Sequence, residues 1–148
     1  MENKSMSSHC RLNDEGLFNL LGGVFEEATG DRVVVTMNAD GRHHQPFGLV
    51  HGGVYCCIVE TAASTGAAIW SVEQGNYGIV GVSNTTDFLR PHRRGLMKAI
   101  ATPIQRSRIQ QLWEVVITRD TDGRELSRGK VRLQNLLDPA LVQEERTH

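Results

Sequence analysis

The stretch from His51 to Trp70 constrains the fold more than any other part of the chain. His51-Gly52-Gly53 leads into a run of Ala, Gly, Ser, Thr, Cys, Val and Ile that carries one charged residue, Glu60. The glycine pair and the length of the run predict a helix over roughly 52–70. A helix with no polar face has to be covered on most sides. Its side chains are mostly small, so neighbouring elements can come close, and Gly66 marks such an approach. The remaining chain must therefore supply a surface broad enough to enclose one long helix.

That surface reads as sheet. Asp14 to Leu21 predicts a short helix stopped by Gly22-Gly23. Val24 to Ala28 and Arg32 to Ala39 form a hairpin around Thr29-Gly30-Asp31. After the helix and the break at Glu73-Gln74-Gly75-Asn76, the period shortens to that of strands. Tyr77 to Phe88, Leu96 to Gln105, Leu112 to Arg119 and Arg124 to Leu137 alternate, separated by Arg90-Pro91-His92-Arg93-Arg94-Gly95, Arg106 to Gln110 and Asp120-Thr121-Asp122-Gly123. Pro103 marks an edge or a bulge. The class is α+β: one long central helix wrapped by a curved antiparallel sheet of about six strands. Residues 1–12 read as a disordered lead, 13–138 as a single domain and 139–148 as a tail. An open sheet edge or face invites a second subunit.

Composition excludes several partners. With 148 residues and a net charge of -1, no global field draws in nucleic acid or an anionic membrane. The polar N-terminus has no apolar signal core and no run reaches a membrane span, so the expected location is cytoplasmic. Three cysteines, two adjacent at Cys56 and Cys57, make no disulfide framework. Arg90, His92, Arg93, Arg94 and Lys98, then Arg106 and Arg108, form a basic second half. It is either a solvated face or a phosphate-binding rim.

Glu60 is the chemical anomaly. A carboxylate on a buried helix is either paired with an arginine or used as a nucleophile or general base. Ser64, one turn on, shares its face. At the helix start, the N–H groups of Gly52 and Gly53 are unpaired and carry no side chain to obstruct a carbonyl oxygen, which suits an oxyanion site. Gln45 can donate to the same oxygen, and His51 adjoins it. Gly52 and Glu60 lie eight residues apart, about 12 Å along a helix. One carbonyl cannot reach both in one chain, so a shared substrate requires a dimer with interface sites. His43, His44 and His51 lack helical ligand spacing, and neither CxxC nor HExxH occurs, so no metal is expected. GxSxG, GxGxxG and P-loop motifs are also absent.

Gln45, His51-Gly52-Gly53, Glu60-Thr61 and Ser64, with Asn84 through Pro91 and Arg106 through Glu114, resemble the hotdog-fold acyl-CoA thioesterases. The likeness spans roughly residues 14–137. It is nearest the branch acting on 4-hydroxybenzoyl-CoA, phenylacetate-pathway and 1,4-dihydroxy-2-naphthoyl-CoA thioesters. The resemblance implies that Glu60 attacks the thioester carbonyl or activates water. It implies that the Gly52 N–H and Gln45 of the neighbouring subunit polarise that carbonyl. Ser64 would position the attacking group, and His51 would sit near the sulfur or orient Gln45. Gly81, Phe88, Leu89 and Arg90, with Arg106, Ser107 and Arg108, would hold the coenzyme A portion. It further implies homodimers assembled into tetramers, and no cofactor apart from coenzyme A as part of the substrate. Phe88 stands where the naphthoyl-CoA branch often has a polar residue, which implies a more apolar pocket.

Two rival readings remain at this level. A hotdog dehydratase would need a histidine fourteen residues before Glu60, where this chain has Pro46. A non-catalytic acyl-CoA-binding or regulatory hotdog protein would have no use for the helix carboxylate.

Overall fold

A computed structural model describes residues 16–138. The expected lead and tail lie outside the described residues, as does Asp14, the expected start of the first helix. The chain forms α1 (Leu17–Leu20), β1 (Gly23–Ala28), β2 (Val33–Ala39), a 3₁₀ turn (Gly41–His43), α2 (Gly52–Glu73), β3 (Gly78–Phe88), β4 (Gly95–Arg106), β5 (Gln110–Arg119) and β6 (Glu125–Leu136). The sheet order is β1-β2-β4-β5-β6-β3, and the neighbouring strands pair antiparallel. The long helix against a six-stranded antiparallel sheet is the hotdog arrangement.

Period-two alternation builds the core. Val33, Val35, Met37 and Ala39 of β2, Met97, Ala99 and Ala101 of β4, and Trp113, Val115 and Ile117 of β5 all turn inward. They meet Ile58, Val59, Ala62, Ala63 and Ala67 of α2, forming one cluster. Gly66 is the close approach the sequence predicts: a Cβ there would stand 2.5 Å from the Trp113 ring. Trp113 is fully buried, and its indole N–H donates to Gln111 Oε1 at 2.8 Å. Gln111 in turn donates to the Ala67 carbonyl of α2 and to Asn135 Oδ1 of β6. This buried polar chain, unforeseen in the sequence, ties the far end of the helix to two strands.

The helix runs three residues beyond its expected end, to Glu73. Pro103 lies in an interior strand, at a bulge between Pro103 and Gln105. The β2–β4 ladder covers Gly95 to Ala101, so the missing N–H interrupts no pairing on that side. The 3₁₀ turn is fixed by a reciprocal cap, with Asp40 accepting from the Arg42 N–H and His43 Nδ1 accepting from the Asp40 N–H. β3 is an edge strand, paired with β6 on one side. It carries exposed Val80, Val82 and Phe88.

Candidate active site

Two groups of residues converge at different levels of α2. The first surrounds its N-terminus. His51 takes the extended conformation of an N-cap, and its Nδ1 accepts from the Gly53 N–H at 2.8 Å. The proton of a neutral His51 ring therefore sits on Nε2. The Val54 N–H donates to the His51 carbonyl at 2.9 Å. No hydrogen bond among the described residues uses the Gly52 N–H, which is left at the positive end of the helix dipole. Gly52 is required for room: a Cβ would stand 2.6 Å from the Phe88 ring.

Gln45 belongs to a tight loop closed by Gln45 N–H to the Leu49 carbonyl and Gly48 N–H to the Gln45 carbonyl. Gly48 supplies the positive φ of 76° that this loop needs. The Gln45 side-chain oxygen accepts from the Phe47 N–H, which leaves the amide nitrogen as the end able to donate outward. Gln45, Gly52, Tyr55, Phe88, Leu89 and Arg90 are among the walls of a cleft of about 320 Å³. The Tyr55 ring lies 5.9 Å from the Phe88 ring. Its hydroxyl is buried without a hydrogen-bond partner among the described residues, and burial pushes its pKa up to about 12, so it stays neutral.

The second group surrounds Glu60. Its side chain is half-buried rather than sealed. Ser64 Oγ donates to Oε1 at 3.2 Å and Asn84 Nδ2 donates to Oε2 at 3.1 Å. Asn84 also reaches the Cys56 carbonyl at 3.1 Å, which locks its amide between helix and strand. Both carboxylate oxygens act as acceptors, the arrangement of an ionised group. The arginine partner that the sequence left open is replaced by these two neutral donors. Gly81 of β3 faces the same carboxylate, so the strand passes directly over it.

The structure brings Glu60, Ser64 and Gly81 together, and separately Gln45, Gly52, Phe88, Leu89 and Arg90. His51 caps the helix and makes no hydrogen bond to Gln45. Arg90 Nη1 donates to the Glu125 carbonyl at 2.8 Å. Arg106 and Ser107 do not join either group. β4 carries Arg106 to the opposite end of the sheet from Gly95, roughly 35 Å away along a strand. There Arg106 donates to the Gly30 carbonyl at 2.6 Å and to Asp31 at 2.9 Å, and lies 5.2 Å over the Trp70 ring. Ser107 closes the β4–β5 turn on Gln110. Nor do the three histidines converge on a metal site: His43 Nε2 donates to the Leu21 carbonyl, His44 Nε2 to that of Arg93, and His51 caps.

Asn84 opens one of the stretches that carry the resemblance, Asn84 through Pro91, but sequence reasoning gave it no role at the site. Its signal was an amide inside Ser83-Asn84-Thr85-Thr86, a polar interruption in a strand predicted to lie against an apolar helix.

Comparison with known proteins places this geometry. The sequence profile of the thioesterase superfamily matches residues 47–126. The Mycobacterium tuberculosis protein Rv1847 is 45% identical over 117 residues, covering 78% of this chain and 83% of its own. The solved structure of Rv1847/MT1895 superposes with a TM-score of 0.78 at 42% identity, over 82% of this chain and 96% of that one. The proofreading thioesterase EntH of Cronobacter sakazakii is 35% identical over 104 residues, 70% of this chain and 74% of its own. The 1,4-dihydroxy-2-naphthoyl-CoA hydrolase of Escherichia coli is 30% identical over 116 residues, 76% of this chain and 83% of its own.

Proposed function

The chain belongs to the thioesterase superfamily, and from that premise we propose that it hydrolyses an acyl-CoA thioester to the free acid and coenzyme A. The observation that carries the reading is Glu60, held by Ser64 and Asn84 on both oxygens beneath an open edge strand. As general base, Glu60 takes a proton from water while the oxygen adds to the carbonyl carbon; as nucleophile, it adds itself and water then cleaves the anhydride. In both routes the C–S bond breaks and the thiolate leaves with a proton. The Gly52 N–H and the Gln45 amide stabilise the charge that develops on the carbonyl oxygen. Coenzyme A enters as part of the substrate, and the proposed chemistry uses no other cofactor. The name of the Escherichia coli relative, with its aromatic acyl-CoA, supports an acyl group of that kind, and the apolar Phe88 also suits a medium-length chain.

Glu60 and Gly52 are too far apart on one helix to share a carbonyl, so the proposed enzyme works as a dimer at least. The edge strand offers the geometry. Two copies of β3 pairing antiparallel about Asn84 would set Phe88 of one opposite Val80 of the other. Phe88 touches Gly52, and Gly81, next to Val80, touches Glu60. The two half-sites would then meet twice across a two-fold axis. Burial of exposed Val80, Val82 and Phe88 supports such a pairing. Two such dimers joined as a tetramer complete the assembly we propose. Among the described residues no helix is long and apolar enough to cross a membrane.

Thiol release from a panel of acyl-CoA thioesters tests the reading. Wild type is expected to turn over at least one aromatic or medium-chain member, and Glu60→Gln to lose about 100-fold or more in kcat. A variant at near-wild-type rate defeats the assignment of Glu60. Sedimentation at assay concentration tests the assembly, and an active monomer defeats it.

A further inference from the structure

β3 changes parity beside Glu60. Its pairing with β6 runs from Gly81 opposite Leu133 to Ser83 opposite Arg132, so Val82 is an extra residue and the strand bulges there. Strict alternation would send Gly81 and Asn84 to opposite faces. The bulge puts both against the carboxylate: Gly81 faces Oε1, and Asn84 donates to Oε2 at 3.1 Å. Beyond Asn84 the pairing is regular, and Thr86 and Phe88 follow on the same face.

Thr86 spends its hydroxyl on Asn84. Oγ1 donates to Asn84 Oδ1 at 2.6 Å. The whole Asn84 amide is then assigned. Nδ2 gives one hydrogen to the Cys56 carbonyl and the other to Glu60, both at 3.1 Å, while Oδ1 receives the Thr86 hydroxyl. Room for that hydroxyl comes from the neighbouring strand. Gly129 of β6 stands opposite Thr86, and a Cβ there would lie 2.6 Å from Thr86 Oγ1 and 2.7 Å from Val59 Cγ1.

Asn84 needs such an anchor. It is exposed on an edge strand, where water competes for each of its polar atoms. Its reach to Glu60 depends on keeping one rotamer. A bond accepted at the amide oxygen holds that rotamer and, by polarising the amide, strengthens what the nitrogen donates. Glu60 is thereby held from two elements, by Ser64 on its own helix and by the Thr86–Asn84 pair on the strand.

We propose that Thr86 is a positioning residue of the hydrolytic site: its hydroxyl fixes the Asn84 amide, and through it keeps Glu60 aimed at the thioester or its attacking water. The proposal rests on the thioesterase reading, with Glu60 as the acting carboxylate.

The experiment measures thiol release by wild type, Thr86→Val, Thr86→Ser, Asn84→Ala and the double variant Thr86→Val/Asn84→Ala. Valine keeps the branched shape that suits a strand and loses the hydroxyl, whereas serine keeps the hydroxyl. Thr86→Val is expected to lower kcat about fivefold, the size of one neutral hydrogen bond, with KM unchanged. Thr86→Ser should retain about half of wild-type kcat or more. On the Asn84→Ala background the valine change should cost nothing further, because the group it acts through is gone. Wild-type kcat in Thr86→Val, a serine variant as impaired as the valine one, a loss confined to KM, or an equal further loss on the Asn84→Ala background each overturns the proposal and leaves the assignment of Glu60 standing. A wild type that releases thiol from no thioester instead defeats the thioesterase reading. Nuclear magnetic resonance of the Asn84 side-chain amide then decides the anchor without any turnover. Its protons should exchange with solvent several-fold faster in Thr86→Val than in wild type, and equal exchange overturns the proposal.

Discussion

Gly81 lies so close to Glu60 that a Cβ on Gly81 would stand 2.6 Å from Glu60 Oε1. The atom it would meet is the tip of a flexible side chain, so the fold can absorb a methyl group there while the carboxylate cannot keep its place. Gly81→Ala is therefore expected to lower kcat by about tenfold or more, the scale of a misplaced catalytic group. The urea midpoint should stay near wild type. Parallel kinetics and unfolding curves check this, and an unchanged kcat contradicts it.

Asn84 donates to Glu60 Oε2 and to the Cys56 carbonyl. Asn84→Ala removes a hydrogen bond to a charged group, worth about 1.5–3 kcal/mol, and should cost roughly ten- to a hundredfold in kcat/KM. Asn84→Asp has the same shape but faces Glu60 with a like charge. It should fall below the alanine variant. If the aspartate variant is the better enzyme, the role of Asn84 is steric rather than electrostatic.

Gly66 presses on the Trp113 ring, and an added Cβ would also stand 3.1 Å from Val33. These neighbours are fully buried and have nowhere to move. Gly66→Ala should destabilise by about 1–3 kcal/mol despite the better helix propensity of alanine. Thermal unfolding checks it, and a raised Tm would show that the core yields there.

Acid should weaken the fold through three surface carboxylates. The Arg128 guanidinium holds the Glu125 pKa below its ordinary 4.5. The Arg124 N–H, then the Arg119 guanidinium, hold Asp122 below 3.8, and the Arg42 side chain does the same for Asp40. A carboxylate with a lowered folded pKa stabilises above its unfolded pKa and loses that contribution as pH falls through the folded value. Tm should therefore be level from about pH 8 to about pH 5 and drop below about pH 4. The charge-removing Glu125→Gln should make the drop shallower. An identical acid limb in that variant contradicts the assignment.

Much of this was legible in the sequence because it depends on local pattern. A glycine pair before a small-residue helix, period-two strands and Ser64 one turn beyond Glu60 each follow from spacing alone. Asn84 was not legible, since its contact depends on how β3 lies across α2, a register that no local pattern encodes. The surroundings of Arg106 were hidden for a related reason. Its resemblance to a substrate-holding segment says nothing about which end of the sheet it occupies. The partners that claim it, Gly30, Asp31 and Trp70, lie far from it in the chain. Arg93 and Arg94 looked like part of one basic stretch with Arg106 and Arg108, and only the strand direction of β4 separates them.

The open edge of β3 has a genetic consequence. Under the proposed pairing each site draws Glu60 from one chain and Gly52 from the other. A chain carrying Glu60→Gln and a chain carrying Gly52→Val are then each inactive alone. Refolded together in equal amounts, they would form mixed dimers in which one of the two sites is whole. Random assortment makes half the dimers mixed, so the mixture should recover about a quarter of wild-type activity, as closed two-fold symmetry requires. Two defective alleles of this protein would complement each other in one cell, and a single defective allele would poison sites in chains that are themselves intact.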